Sequence, residues 1–258
     1  MSAAPDPAEI FDRAAEEGER RLDQSLIELL ATSFIAGFTV VFGTVALGIV
    51  HAAVPAGTGR LDAVAGALAF GLGVVFLVVG RAELFNENFF DPIAAAIERD
   101  GFPTGELLRL WGVTFALNLV GGGLMVVVFW AEGTLPAGTE VALRSFAEHT
   151  AGRSTVANFT SAIVGGALVA LLSHFLAAVD SGGSRIWMAY AVGFLLALGP
   201  FEHVVVTMLH AFFGVLYGAR IGVAEFAALT GIITAGNVVG GIGLVTITHV
   251  AQAKGARE

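Results

Sequence analysis

The sequence has no cysteine, which excludes disulfides, thiolate nucleophiles and thiolate-held metals. It has one lysine, Lys254, and its 13 basic residues stand against 22 acidic ones. The resulting net charge of −9 argues against a nucleic-acid partner. Charge of either sign is scarce, at 14% of 258 residues. The first 28 residues are polar and charged, without the short apolar core and small-residue cleavage site of a secretory leader. What remains is apolar: 56% hydrophobic residues, 34 glycines and a mean hydropathy of +0.81. Those values describe an integral membrane protein, localised to a cell membrane, rather than a globular enzyme.

One apolar run, from Ile186 to Tyr217, is longer than the roughly 20 residues a helix needs to cross a bilayer. At its centre stands Leu198-Gly199-Pro200-Phe201-Glu202-His203. A helix breaker followed by a carboxylate and an imidazole, in a run of this length, reads as two half-helices meeting inside the membrane. Backbone freed by such a break must be satisfied by protein or by a water-lined cavity. Ionisable groups at that depth cost a few kcal/mol each and mark functional sites. The competing reading is a simple proline kink with a buried, hydrogen-bonded Glu/His pair.

Repetition favours the break. Shifted by 119 residues, Gly80, Glu83, Gly112, Asn118, Gly121 and Gly122 fall on Gly199, Glu202, Gly231, Asn237, Gly240 and Gly241. Chance matches of glycine are cheap in a chain so rich in it, whereas those of Glu and Asn are not. Ser33-Phe34-Ile35-Ala36-Gly37 echoes Ser161-Ala162-Ile163-Val164-Gly165 at an offset of 128. The chain reads as a duplicated unit, each copy carrying one interrupted helix.

The fold expected is all-α, with six transmembrane passages. Residues 1–28 form a cytoplasmic segment with an amphipathic helix over residues 8–22, whose stripe is Ile10, Phe11, Ala14, Ala15, Gly18 and Leu22. Residues 29–250 hold the transmembrane domain, with repeats at about 29–130 and 156–247, and residues 251–258 a cytoplasmic tail. The passages run Leu29–Val54, from Leu61 with an interruption at 83–88 and a restart at Asp91-Pro92, Leu107–Trp130, Val156–Ala178, the broken run, and Ala224–Ile247. An even count places both termini on one side. That side carries eight basic residues (Arg13, Arg20, Arg21, Arg99, Arg109, Arg185, Lys254 and Arg257) against four on the other (Arg60, Arg144, Arg153 and Arg220), so both termini are expected in the cytoplasm. Three passages per copy invert one repeat relative to the other, an architecture that builds sites at the midplane between discontinuous helices. Half-helix N-termini directed at the centre favour an anion. The glycines at 121–123 and at 236, 240, 241 and 243 read as close helix packing without further function.

At these residues the chain resembles the formate/nitrite transporter family over nearly its whole length. The likeness is carried by Pro7-Ala8-Glu9-Ile10-Phe11, Phe70-Gly71-Leu72-Gly73, Ala82-Glu83-Leu84-Phe85, Asn118-Leu119-Val120-Gly121, Gly199 with Phe201-Glu202-His203, and Gly236-Asn237-Val238-Val239-Gly240-Gly241. The resemblance implies an aquaporin-like bundle assembled as a homopentamer in the lipid bilayer, with one pore per protomer for small monovalent anions or their neutral acids. It puts the family's central histidine at His203 and its break-loop threonine at Asn86. It also implies an apolar constriction from Phe70, Val74, Leu84 and Phe85, with Leu196 and Phe201 counted alongside.

The departures from the pattern are Arg81 before the first break, Glu87 within it, Thr150 where a basic residue is expected (Arg153 being the nearest cation), Gly166 in place of an asparagine, and Val206-Thr207 after the histidine. Arg81 is expected to clamp the first break against Glu83 or Glu87, or else to attract anions.

The expected substrate path combines His203, Asn86, Asn88 and Thr207. An unperturbed imidazole titrates inside the physiological window. At His203 the dipole of the following half-helix is expected to depress that value and Glu202 to raise it. His203 can therefore lend a proton to a weak-acid anion, which then crosses an apolar constriction as the neutral acid. Glu83 and Glu202, being repeat-related, are expected to hold the break loops by accepting their N–H groups. Asn118 and Asn237 are read as helix-packing residues. His203 and His210 share a helix face, but no third ligand stands at metal spacing, so neither metal nor cofactor is expected. His51, His149, His174 and His249 fall near passage ends, as interfacial residues would. The function expected is a channel or transporter of weak-acid anions; the alternatives are a neutral-solute channel, against which the missing Asn-Pro-Ala pairs count, or a membrane scaffold. An intramembrane enzyme lacks a nucleophile.

Overall fold

The computed structural model describes residues 5–55, 58 and 60–257. They form helices α1 (Pro7–Leu22), α2 (Leu26–Ala53), α3 (Leu61–Val79), α4 (Asp91–Glu98), α5 (Thr104–Trp130), α6 (Thr139–Ala151), α7 (Thr155–Ala178), α8 (Gly182–Leu198), α9 (Val204–Leu216) and α10 (Val223–Ala256), with no strand among the described residues. Five of these, α2, α3, α5, α7 and α10, are long and apolar enough to cross a membrane; α8 and α9 are shorter apolar helices on either side of residues 199–203. Leucine, valine and phenylalanine side chains such as Leu68, Leu72, Phe76, Leu124 and Val128 are exposed on their outer faces, as lipid contact requires.

Both expected breaks are present. The first is wider than its sequence signal: α3 stops at Val79, four residues before Glu83, and a single 3₁₀ turn at Phe85–Phe89 leads to α4, which starts with Pro92 in its first turn. Arg81 adopts a φ of +51°, a left-handed conformation uncommon for a side chain larger than glycine, and turns the chain there. In the second break the chain turns at residues 199–200, where Pro200 deprives the backbone of a donor, and His203, in an extended conformation, caps α9.

Two helices differ from expectation. The amphipathic helix α6 lies between the third and fourth apolar runs and packs on α9 and α2, burying Ala142, Leu143 and Ala147. Its low hydropathy concealed it. The last helix runs to Ala256 rather than ending at Ile247, through a π-helical stretch at Val239–Thr246. Its end therefore takes in most of the expected tail.

α1 caps the bundle beside this end. Asp6 and Glu9 form a capping box at its start. Phe11, Ala14, Gly18 and Leu22 are buried; Ile10 and Ala15 stay half-buried. Arg257 lies over the Phe11 ring and pairs with Asp12 and, at 3.2 Å, with Glu98. The two ends of the chain thus meet on one face of the bundle.

Close backbone approach explains four of the glycines. A Cβ on Gly37 would sit 2.1 Å from the Asn118 carbonyl oxygen, and one on Gly166 2.2 Å from that of Asn237. A Cβ on Gly121 would sit 2.2 Å from the carbonyl of Phe34, and one on Gly240 1.9 Å from that of Ile163. These contacts pair residues 34 and 37 with 163 and 166, an offset of 129. The sequence echo of Ser33–Gly37 at 128 is one residue out of register with the packing.

Candidate transport pathway

The two breaks are held by the same device used twice. The fully buried Asn118 accepts the Phe85 N–H at 2.9 Å and donates to the carbonyls of Ser33 (2.8 Å) and Glu83 (3.0 Å). Asn237, also fully buried, accepts the Val204 N–H at 2.9 Å and donates to the carbonyls of Ala162 and Glu202, both at 2.7 Å. Backbone groups that the missing helical turns leave open are met by amide side chains from the following helix. A side chain that serves both donors and acceptors is needed there, which is why Asn rather than Leu stands at these two packing positions.

The glutamates are held by side chains, not by the loop N–H groups expected from sequence. Glu83 takes Arg20 and Gln24, both at 3.0 Å, with Arg21 at 3.6 Å. Glu202 takes Arg153 at 3.0 Å, Thr150 at 3.1 Å and Thr207 at 2.7 Å. Arg81, expected to clamp Glu83 or Glu87, forms no ion pair among the described residues and is exposed. α1 reaches the first break before it can: Arg20 and Arg21 arrive from a packed helix, whereas Arg81, at the left-handed turn, stays exposed. Burial pushes the Glu17 carboxyl up, but the hydrogen bonds and charges of Arg20 and Arg21 overcome this and hold it at about 2.

Between the breaks runs a series of cavities. On the face away from the termini a vestibule of about 320 Å³ is lined by Arg60, Phe146, His149, Thr150, Phe201, Glu202, Thr207 and His210. Phe70, Leu196, His203 and Val206 line both this vestibule and an enclosed chamber of about 10 Å³, whose other walls are apolar (Val40, Val74, Leu77, Leu84, Val169, Leu172 and Val192) apart from Glu87. Leu77 and Glu87 pass to a cavity of about 30 Å³, and Arg21, Arg81 and Arg185 join that to a second vestibule of about 340 Å³ on the side of the termini. The chamber has room for about one water and offers few polar partners, so a hydrated ion does not fit it.

His203 is 2% exposed and caps α9, with Nδ1 accepting the Val206 N–H at a long 3.4 Å. That bond uses the Nδ1 lone pair, so the neutral ring carries its proton on Nε2. Nε2 has no partner. An imidazole so held can hydrogen-bond an anion through Nε2 or, once charged, protonate it; charging Nδ1 breaks only the weak cap bond.

Other expected path residues lie elsewhere. Asn86 donates to Asn237 at 2.7 Å and is fully buried, and Asn88 donates to the Leu84 carbonyl and receives Arg21; neither lines the vestibules or the chamber between them. The 3₁₀ turn directs both amides into the protein. Phe85 also lies off the chamber, edge-on to Phe89 and Phe115. Thr207 reaches the far vestibule bonded to Glu202, and Phe201 stands at that mouth rather than in the chamber. The rings of His174 and His249 lie 4.0 Å apart, tilted by 50°, beside Phe90, a pairing that spacing along the chain does not reveal. Among the described residues no three His, Asp or Glu side chains gather as a metal site.

The sequence model of the family described as "Formate/nitrite transporter" matches residues 8–251. The chain belongs to the formate/nitrite transporter family. Among its relatives are the inner membrane protein YfdC of Escherichia coli (strain K12), 25% identical over 94% of this chain and 77% of that one, and a probable formate transporter of Methanothermobacter thermautotrophicus, 26% identical over 93% and 94%. The fold matches a solved FNT family ion channel with a TM-score of 0.82 at 16% identity, over 94% of this chain and 98% of that one. It also matches a pentameric formate channel with formate bound, with a TM-score of 0.71 at 18% identity, over 92% and 97%. Together with the apolar helices, these relatives make the chain a multi-pass protein of the cell membrane.

Within this formate/nitrite transporter family member, Arg153 supplies the only cation paired with Glu202 among the described residues. Arg153→Gln is therefore expected to lower stability by about 3 kcal/mol, because a largely buried carboxylate loses its partner. Glu202→Gln added to it restores part of the loss. Thermal unfolding of the purified variants measures this, and a single variant that melts with the wild type contradicts it.

Proposed function

We propose that the protein is a channel or transporter for small monovalent weak-acid anions, formate or nitrite among them. One observation carries this: the unpartnered Nε2 of His203 at the mouth of an apolar chamber too small for a hydrated ion. An anion arriving in the far vestibule takes a proton from the charged imidazole and crosses as the neutral acid, which sheds most of the desolvation cost of the ion. The twofold use of the Asn and Glu clamps supports six passages arranged as an inverted repeat of three plus three, with α3–α4 and α8–α9 as the two interrupted ones. The pentameric relative supports a homopentamer with one pore per protomer, and the excess of basic residues on the face of the termini supports a cytoplasmic location for both.

The test is stopped-flow uptake into proteoliposomes. Formate and nitrite uptake should rise as the pH falls, whereas the anions of strong acids should pass slowly at every pH. Water flux without anion flux would instead support a neutral-solute channel.

Arg81 serves in this reading as an anion attractor, with Arg21 and Arg185, in the vestibule beside the termini. Arg81→Gln should leave the melting temperature unchanged and lower anion flux several-fold at low salt, with the difference shrinking as ionic strength rises. A variant that loses stability, or keeps full flux at low salt, removes this role.

A further inference from the structure

Glu87 stands where the chamber opens toward the side of the termini, and the clamping of the breaks makes no use of it. It lines both the chamber and the small cavity beyond. It is 4% exposed, and its Oε1 has no hydrogen-bond partner. Its backbone, by contrast, is fixed: Arg21 and Ser173 both donate to its carbonyl, at 3.3 and 3.2 Å. A carboxylate retained for clamping carries a cation or a donor, as Glu83 and Glu202 do. The Glu87 carboxylate forms neither a hydrogen bond nor an ion pair among the described residues. Glu83, although its Oε2 also lacks a hydrogen bond, has Arg20, Arg21 and Gln24 beside it. Leaving Oε1 of Glu87 buried and unpaired is costly.

The repeat sharpens the point. At the offset of 119, Leu84 corresponds to His203 and Glu87 to Val206, and all four line the chamber. Each break thus contributes one apolar and one titratable wall residue, and the two titratable ones occupy non-equivalent positions. The charged and titratable groups around Glu87 are Glu17, Arg20 and Arg21 from α1, Arg81, Glu83 and Asp91 from its own break, Arg185 from α8, and His203 across the chamber. Arg20 and Arg21 are engaged with Glu17, Glu83 and Asp91, which leaves the Glu87 carboxylate facing the chamber.

We propose that Glu87 is the acceptor that takes the proton back at this end of the chamber, an inference that rests on the weak-acid reading above. At the far end, the His203 imidazolium loses an N–H proton to the anion and becomes neutral as the acid O–H forms; the imidazole then regains a proton from water of the far vestibule that it lines. At the near end that O–H breaks and an O–H forms on Glu87 Oε1, which frees the anion to the vestibule of Arg21, Arg81 and Arg185. Glu87 then releases its proton to vestibule water. One proton moves with each anion, in the same direction; in reverse, the two residues exchange roles.

The test uses the full chain in vesicles of known sidedness, scored by protease access to α1, with pH set separately on each side between about 5 and 8. Formate and proton fluxes are followed together. The wild type should respond to pH on both faces. Glu87→Gln should lower flux about a hundredfold and lose the response on the side of the termini, while the His203 side still responds. Glu87→Asp, which keeps a carboxylate, should be slower but retain both responses, and it serves as the readout should the Gln variant not fold. Unchanged flux and both responses in Glu87→Gln, or loss of the near-side response in Glu87→Asp, overturns the proposal. If His203→Phe loses the far-side response while Glu87→Gln changes nothing, the weak-acid reading stands and Glu87 has no part in it. Unaltered flux in His203→Phe, or no formate flux in the wild type, removes both.

Discussion

Asn237→Leu is expected to cost more stability than Asn118→Leu, its counterpart in the other break. Asn237 makes four hydrogen bonds: to the carbonyls of Ala162 and Glu202, from the Val204 N–H, and from Asn86. Asn118 makes three. Leucine nearly matches the volume but leaves every one of these partners buried and unmet. At about 0.6 kcal/mol per bond, an average found inside membrane proteins, four bonds amount to roughly 2 kcal/mol. If each stranded group bears its full desolvation cost, the loss is nearer 8 kcal/mol. A single domain is stable by only about 5–15 kcal/mol, so the upper part of this range unfolds the protein. The loss should appear as a lower melting temperature and a smaller monodisperse fraction after extraction. A melting temperature for Asn237→Leu at or above that of Asn118→Leu would remove the clamp as the main support of the second break. Because Asn86 ties one break to the other through Asn237, that outcome would also mean the two breaks are not mechanically joined.

The largest effect on transport is expected at His203. Phenylalanine keeps the ring volume and removes the proton, so His203→Phe should lower weak-acid flux by about 10² to 10⁴, the usual contribution of a positioned acid. What flux remains should be independent of pH between about 5 and 8. Folding should survive, since the one bond lost is a 3.4 Å cap, and caps are worth about 1 kcal/mol. His203→Asn separates the two roles of the side chain. Asparagine is a good N-cap residue without a proton to lend in this range, so His203→Asn should restore stability but not flux. Wild-type flux in His203→Asn would make the histidine a cap alone.

The signals that read correctly from sequence share one property: they are local. Runs of apolar residues locate α2, α3, α5 and α7 to within three residues at either end, because helix formation in lipid is decided by the composition of a continuous segment. Gly199-Pro200 and Asp91-Pro92 mark break and restart because proline acts on its own neighbours. The Glu83/Glu202 and Asn118/Asn237 matches recur because each is needed at its own break. Even α1 was visible, since Phe11, Ala14, Gly18 and Leu22 follow the helical period.

Partnership was another matter. Glu83 and Glu87 lie two and six residues from Arg81, yet Glu83 is held by Arg20 and Gln24, about 60 residues earlier. Asn86 finds Asn237, 151 residues away, and so leaves the path it was expected to line. His174 meets His249 only because α7 packs against the end of α10. The amphipathic α6 has too mixed a composition to announce itself between two apolar runs. An irregular turn has no side-chain period to extrapolate, and charges in an apolar bundle pair with whatever cation packing brings near. The chain by itself therefore determined α1, the apolar helices, the two breaks and the family, but not α6. Tertiary packing alone decided which side chains close each break and that Glu87 joins His203 at the chamber.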